Sequence, residues 1–219
     1  MNHLALFDCD GTLVDSQANI CLAMEATFDA AGLAAPDRHA TRRVVGLSLV
    51  EAMRALLPDA DDALHVDLAE RYKLAFHKMR GDGLVHEPLF DGIAEALTAL
   101  ADKGWLLGVA TGKSDRGLAL CLERHGLLGA FVTLQTADRH PSKPHPSMAE
   151  LAMAEAGASP ETTAMIGDTS FDMMMAKAAG THAVGVDWGY HDAAELIGAG
   201  AGAVLAAPVD LPAHLEALR

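Results

Sequence analysis

The 219-residue chain is short of basic residues, short of cysteine, and without any long apolar run. Lysine and arginine number 16 against 30 aspartates and glutamates, a formal net charge of -14 and a pI of about 5.0. Such a field repels duplex nucleic acid and anionic membrane, so neither is an expected partner. A small anionic ligand stays open, because one local lysine or bound cation overrides the average. Cys9, Cys21 and Cys121 are odd in number and scattered, which argues against a disulfide framework and for a reducing, cytoplasmic setting. No segment reaches the length and apolarity of a membrane-crossing helix, and no basic region followed by a long apolar stretch opens the chain. Repeats and low-complexity tracts are missing as well, while 51% hydrophobic residues suffice for one large domain or a core with an insertion.

What is present is organised around residues 1–16, MNHLALFDCDGTLVDS. Residues 4–7 are apolar at consecutive positions, which fits a strand covered on both faces, as in a parallel α/β sheet. Asp8 ends that run, at the strand end where open α/β sheets bind ligands. Side chains at i and i+2 of an extended segment leave on one face, so Asp8 and Asp10 can address one small volume while Cys9 points elsewhere. Gly11 and Thr12 permit a sharp turn whose amides can approach an anion. Two carboxylates this close need a shared proton or a hard cation such as Mg²⁺.

After Ser16, which can cap a helix, the apolar spacing becomes helical. Helices are expected over residues 16–31, 41–57 and 59–79, broken at residues 32–36, at Pro58 and at Gly81 to Gly83. So long a stretch without strand alternation reads as an inserted helical domain, residues 17–85. From residue 86 onward αβ units recur, with strands at 105–110, 131–135, 163–166, 183–186 and 203–205 and helices at 91–102, 114–125, 146–156, 170–179, 192–197 and 211–218. The expected fold is therefore α/β: a Rossmann-like parallel-sheet core, residues 1–16 and 86–219, carrying an all-helical cap.

Three more stretches can carry chemistry. Ala110 to Ser114, ATGKS, follows a strand; Thr111 and the Gly112 amide can hold phosphoryl oxygens, although a hydroxyl there is also a common turn partner. The GKS is not a P-loop, since the GxxxxGK[ST] spacing is missing. Lys143 sits in HPSKPHPS, either a solvated lysine in a proline-rich connector or a fixed cation; near contact in a protein-like dielectric it would be worth roughly 4 kcal/mol to a carboxylate. In MIGDTSFDM, Asp168 and Asp172 lie four residues apart across a helix start, as caps or as oxygen ligands. Oxygen donors without a compact Cys/His set favour Mg²⁺ over zinc.

Taken together, DCDGT at residues 8–12, ATGK at 110–113, SKPHP at 142–146 and GDTSFD at 167–172 resemble the haloacid dehalogenase-like hydrolase superfamily, in particular its phosphoglycolate phosphatase-like group with a helical cap. The resemblance implies that Asp8 is the nucleophile that becomes an aspartyl-phosphate and that Asp10 is the acid and base. It implies that Thr111 and the Gly112 amide bind phosphate and that Lys143 steadies nucleophile and phosphate. Mg²⁺ would be held by Asp8, the Asp10 carbonyl and Asp168, with Asp172 supporting the metal or Lys143. Gly112 departs from the asparagine that many relatives carry. Within the cap, Arg42 and Arg43 are the leading specificity candidates, because a guanidinium can grip a carboxylate or phosphate with two prongs. His39, Lys73, His77, Lys78 and Arg80 are weaker, and His140 and His145 flank Lys143. The expected activity is Mg²⁺-dependent hydrolysis of a small phosphorylated metabolite, 2-phosphoglycolate being one, by a monomer or homodimer. A sugar-phosphate mutase, a pyrophosphatase, a nucleotide phosphatase and a non-catalytic phosphate sensor are the alternatives.

Overall fold

The computed structural model describes residues 2–219. The first strand, β1 (Asn2–Phe7), is buried from Leu4 onward on both faces, as its unbroken apolar run requires. It lies inside a six-stranded parallel sheet of order β3-β2-β1-β4-β5-β6, the others being β2 (Trp105–Thr111), β3 (Thr133–Thr136), β4 (Ala158–Gly167), β5 (His182–Val186) and β6 (Ala203–Leu205). Ala5 and Phe7 face one core, against α5 (Ile93–Asp102), α6 (Asp115–Arg124) and α10 (Leu211–Glu216). Leu4 and Leu6 face the other, against α7 (Ser147–Ala156) and α8 (Ser170–Ala179). The helix α9 (Ala193–Ala199) lies against β5 and β6. The strand order reverses at β1, which has β2 on one side and β4 on the other, and ligands of open parallel sheets bind beyond the strand ends at such a point. The register pairs Phe7 with Val109 and with Ile166, so the segments opening with Asp8, Ala110 and Gly167 leave the same end of the sheet.

Between β1 and α5 the chain forms α1 (Gln17–Ala30), α2 (Arg38–Arg43), α3 (Leu49–Leu56) and α4 (Asp62–Gly81), with no strand among them. These helices have their own apolar cluster, built on Met24, Phe28, Met53, Leu68 and Tyr72 and separate from the two beside the sheet. The two chain crossings into this segment are stitched together: Asn19 Nδ2 donates to the His86 carbonyl, and the Asp15 amide donates to the Pro88 carbonyl at 2.8 Å.

The expected helix over residues 41–57 is instead two helices. The first ends at Arg43, and beyond it Gly46 takes φ of +96°, a left-handed conformation that turns the chain between the two. Ser48, in extended conformation, opens the second and gives its amide to Ser142 Oγ at 2.8 Å. Helical spacing continued across residues 44–48, and a core contact decided otherwise. The expected strand at 131–135 begins two residues later, and the one at 163–166 extends over Ala158–Gly167.

Candidate active site

Asp8 is fully buried immediately beyond β1. Its Oδ1 accepts from the Cys9 amide at 2.6 Å and lies 3.0 Å from Lys143 Nζ, and its Oδ2 is buried without a partner. Lys143, equally buried, also donates to Asp172 Oδ1 at 2.6 Å. Asp172 in turn closes the N-terminal cap of α8, its Oδ2 accepting from the Thr169 amide at 3.1 Å and hydroxyl at 2.7 Å. Asp168 is held from two sides, Oδ1 by the Thr12 hydroxyl at 2.8 Å and Oδ2 by the Tyr190 amide at 2.9 Å. Gly11, with φ of +84°, turns the chain so that its Cα passes against the Asp168 carboxylate; a Cβ there would lie 2.1 Å from Oδ2. Proline restriction around Lys143 thus serves a buried cation, not a solvated connector.

One lysine does not balance three buried carboxylates. Burial pushes Asp8 up to about 7 although Lys143 pulls the other way. Burial, then the neighbouring Asp8, raise Asp168 well above the carboxylate range. Burial opposes the charge on Lys143 too, but Asp172 and Asp8 outweigh it and hold the ammonium above its usual range. Carboxylate oxygens of Asp8, Asp168 and Asp172 lie within 4.8 Å of one another. A hard divalent cation fits this donor set: the ligands are oxygens, the charge is in excess, and Asp8 Oδ2 has no other partner.

Asp10 has a separate set of partners. Its Oδ1 accepts from the Ser16 hydroxyl and lies 2.8 Å from Lys113 Nζ. Ser16 is thereby diverted from capping α1, for which it makes no side-chain bond, and its hydroxyl also lies 3.2 Å from Tyr190 Oη. Lys113 reaches on to Glu87 Oε1 at 2.7 Å, and Glu87 Oε2 accepts from Arg80 Nη2 at 3.0 Å. Burial opposes charge on both Lys113 and Glu87. Asp10 nevertheless holds the ammonium well above its usual range, and Lys113 and Arg80 hold Glu87 below its own.

A family model described as "Haloacid dehalogenase-like hydrolase" matches residues 5–186, which include every residue just placed except Tyr190. The chain belongs to the haloacid dehalogenase-like hydrolases. It is 38% identical over 202 residues to "Probable phosphatase IndB" of Dickeya dadantii, covering 90% of this chain and 86% of that one. To "Pyrophosphatase PpaX" of Bacillus pumilus it is 32% identical over 187 residues, covering 85% and 83%. To "Phosphoglycolate phosphatase" of Vibrio vulnificus it is 29% identical over 196 residues, covering 86% and 85%. A predicted phosphatase from Clostridium acetobutylicum has the same fold, with a TM-score of 0.88 and 25% identity over 99% of both chains. The protein is a phosphoric monoester hydrolase of this family.

In this haloacid dehalogenase-like hydrolase Thr111 ends β2, buried, with its Oγ1 accepting from the Lys113 amide at 3.2 Å. Ser114 caps α6, accepting from the Gly117 amide at 3.1 Å. Gly112 has a steric reason to be glycine: a Cβ would stand 2.6 Å from the Leu47 carbonyl and 3.0 Å from that of Gly46. The turn between α2 and α3 therefore rests directly on the loop after β2, where an asparagine side chain would push it away.

Arg42 and Arg43 do not line the cavity between the helical segment and the core. Arg43 is spent on Glu195 of α9 in a two-pronged pair, a contact that holds the segment to the core. Among the weaker candidates, Lys73, His77 and Arg80 line the cavity; His39 and Lys78 do not. His140 is engaged by Ser147 at 2.8 Å and Gln135 at 2.9 Å, while His145 Nδ1 accepts from the Ser147 amide at 3.2 Å. Sequence reasoning missed Lys113, Glu87, Ser16 and Tyr190. Lys113 stood inside the quoted ATGK, so a role for it was the available signal; Glu87 and Tyr190 had none in local spacing.

Proposed function

We propose that the protein hydrolyses a small phosphate monoester with Mg²⁺, in two steps, through a phosphoryl group carried on Asp8. The observation that carries this reading is the pairing of Asp8's two oxygens: one fixed by Lys143 and the Cys9 amide, the other partnerless beyond the central strand. Asp8, Asp168 and, by the family resemblance, the Asp10 carbonyl would hold the cation, with Asp172 within reach but committed to Lys143 and Thr169. When bound, Mg²⁺ supplies positive charge that offsets the carboxylates and the transferring phosphoryl oxygens.

In the first step an Asp8 carboxylate oxygen bonds to phosphorus as the bond from phosphorus to the leaving oxygen breaks, and Asp10 gives that oxygen its proton. In the second, Asp10 takes a proton from water, the water oxygen bonds to phosphorus, and the Asp8 carboxylate and inorganic phosphate are released. Lys143 favours the ionised form of the nucleophile and faces the phosphoryl charge, while the Thr111 hydroxyl and Gly112 amide donate to phosphoryl oxygens. Ser16 and Lys113 fix Asp10 where it can serve both steps. The helical segment, residues 17–85, acts as the cap that keeps water from the first step.

The test is a panel of phosphorylated metabolites, including the 2-phosphoglycolate and pyrophosphate named for relatives, with free phosphate and phosphate isomers both measured. Mg²⁺-dependent release of free phosphate from at least one ester, abolished in Asp8→Asn, is the expected result. A folded protein that releases none with Mg²⁺ is a binding module instead, and isomers without free phosphate make it a mutase.

A further inference from the structure

Between the helical segment and the core lies a cavity of about 340 Å³. Of the groups assigned to the phosphoryl side, Asp8, Thr111, Lys143 and Asp168 do not line it; Asp10 does, with Gly112 and Lys113 beside it. The cavity therefore starts at the carboxylate that protonates the leaving oxygen and extends away from the phosphoryl group. It is the room for the rest of the substrate.

Its walls are apolar. Ile20 and Met24 of α1, Val45 and Leu49 around the turn into α3, and Tyr72 and Phe76 of α4 supply much of the apolar surface. The cations nearest Asp10 are already occupied: Lys113 by Asp10 and Glu87, Arg80 by Glu87. Lys73, His77 and Arg116 line it as well and are exposed to solvent. A row of hydroxyls placed against these walls would lose its water and find few partners, the Tyr72 hydroxyl among them, at roughly 1–3 kcal/mol for each neutral group left unpaired and more for a charge. Size points the same way. An apolar cavity of roughly 150 Å³ takes one benzene ring, so this one has room for about two, and a glycolate leaving group would leave most of it empty.

We infer that the preferred substrate is a phosphate monoester of an apolar alcohol or phenol about two rings in size, with the hydrocarbon against Tyr72, Phe76 and Leu49 and the ester oxygen at Asp10. The inference rests on the phosphatase reading and narrows it: sugar phosphates and 2-phosphoglycolate become poor substrates.

The experiment compares 2-naphthyl phosphate with phenyl phosphate, two esters whose leaving phenols have similar acidity, and both with 2-phosphoglycolate and glucose 6-phosphate, all with Mg²⁺. The second ring should raise kcat/KM by about tenfold or more. Ala52→Phe and Leu49→Trp, each placing a ring in the cavity from a different position, should bring the naphthyl-to-phenyl ratio towards one. Asp8→Asn gives a reading without turnover: it should bind 2-naphthyl phosphate about tenfold more tightly than phenyl phosphate. A wild-type ratio near one, a ratio that survives both ring insertions, or better hydrolysis of 2-phosphoglycolate or glucose 6-phosphate overturns the inference and leaves the phosphatase standing. No release from any ester overturns both.

Discussion

Each aspartate of the Asp8–Asp10 pair has its own buried lysine and its own second carboxylate, and the two sets are built for different ends. Asp8, Lys143 and Asp172 form a set fully enclosed by the core, fixed by the cap of α8. Asp10, Lys113 and Glu87 form a set that runs outward, through Arg80, into the last turn of the helical segment's longest helix. Asp168 adds a third buried carboxylate beside the first set, and the excess negative charge fits a cation. The second alternates in sign from Asp10 to Arg80 and needs none. In the proposed mechanism phosphoryl transfer falls to the enclosed set, and proton handling to the set tied through Arg80 to the helical segment.

Breaking the enclosed set has the largest effects. Asp8→Asn removes the proposed nucleophile, so turnover should fall by at least about 10³-fold while the fold persists, checked by steady-state kinetics and circular dichroism. Lys143→Met leaves Asp8 and Asp172 facing each other without their shared ammonium. A broken buried pair costs roughly 3–5 kcal/mol, measurable by urea denaturation, and retained stability would show that Lys143 contributes little to the set.

The enclosed set is also the part most legible in the sequence. Its acids and lysine occupy short motifs whose strand-end and helix-start positions follow from local periodicity, and the parallel sheet and helical insertion follow from the same patterns. The outward set was hidden. Glu87 reads as an ordinary acid before a proline, and only the return of the chain beside α6 brings it to Lys113. The break at Gly46 was hidden likewise, because Gly112 of the core makes room for that turn. Arg43 was visible as a cation and misjudged in direction, since Glu195 lies 152 residues away. Local spacing reports which element a residue occupies; it does not report what another element brings to it.

Cation binding separates the two sets by pH. Burial pushes Asp8 up to about 7 in the folded chain from an ordinary carboxyl value of 3.8, so across that window the folded state binds a proton that the unfolded state has lost. Without metal, this group's contribution to stability therefore falls as pH rises from about 4 to 7. Asp168 shifts in the same direction. Mg²⁺ competes with these protons, so its stabilisation should be smaller at pH 5 than above pH 7. At a hundredfold excess over Kd it should reach about 2.7 kcal/mol, roughly 5–10 °C in Tm, by scanning fluorimetry with and without EDTA. A Tm gain that is the same at both pH values would remove the cation from this cluster.

Glu87→Gln interrupts the outward set alone. The neutral amide leaves Lys113 with Asp10 as its ion-pair partner and Arg80 without the carboxylate it pairs with, so stability should drop by about 1–3 kcal/mol and kcat by about tenfold. The Mg²⁺-induced rise in Tm should be unchanged, because Glu87 touches none of the proposed ligands. If that rise is lost as well, the two sets are one network and the division drawn between them is wrong.

Arg43→Ala should have the smallest effect. The Arg43–Glu195 pair joins α2 to α9 with both side chains partly exposed, at 38% and 29%, so water and salt screen it and its worth is at most about 1 kcal/mol. Tm should fall by no more than roughly 2–4 °C, and the difference should shrink in 1 M salt. Since Arg43 does not line the cavity, the ratio of kcat/KM between any two esters should stay constant even if both values decline through looser closure. A changed ratio would return Arg43 to the substrate. A constant ratio with a shared decline would make it a clasp, acting on how long the segment stays closed over the apolar room beside Asp10.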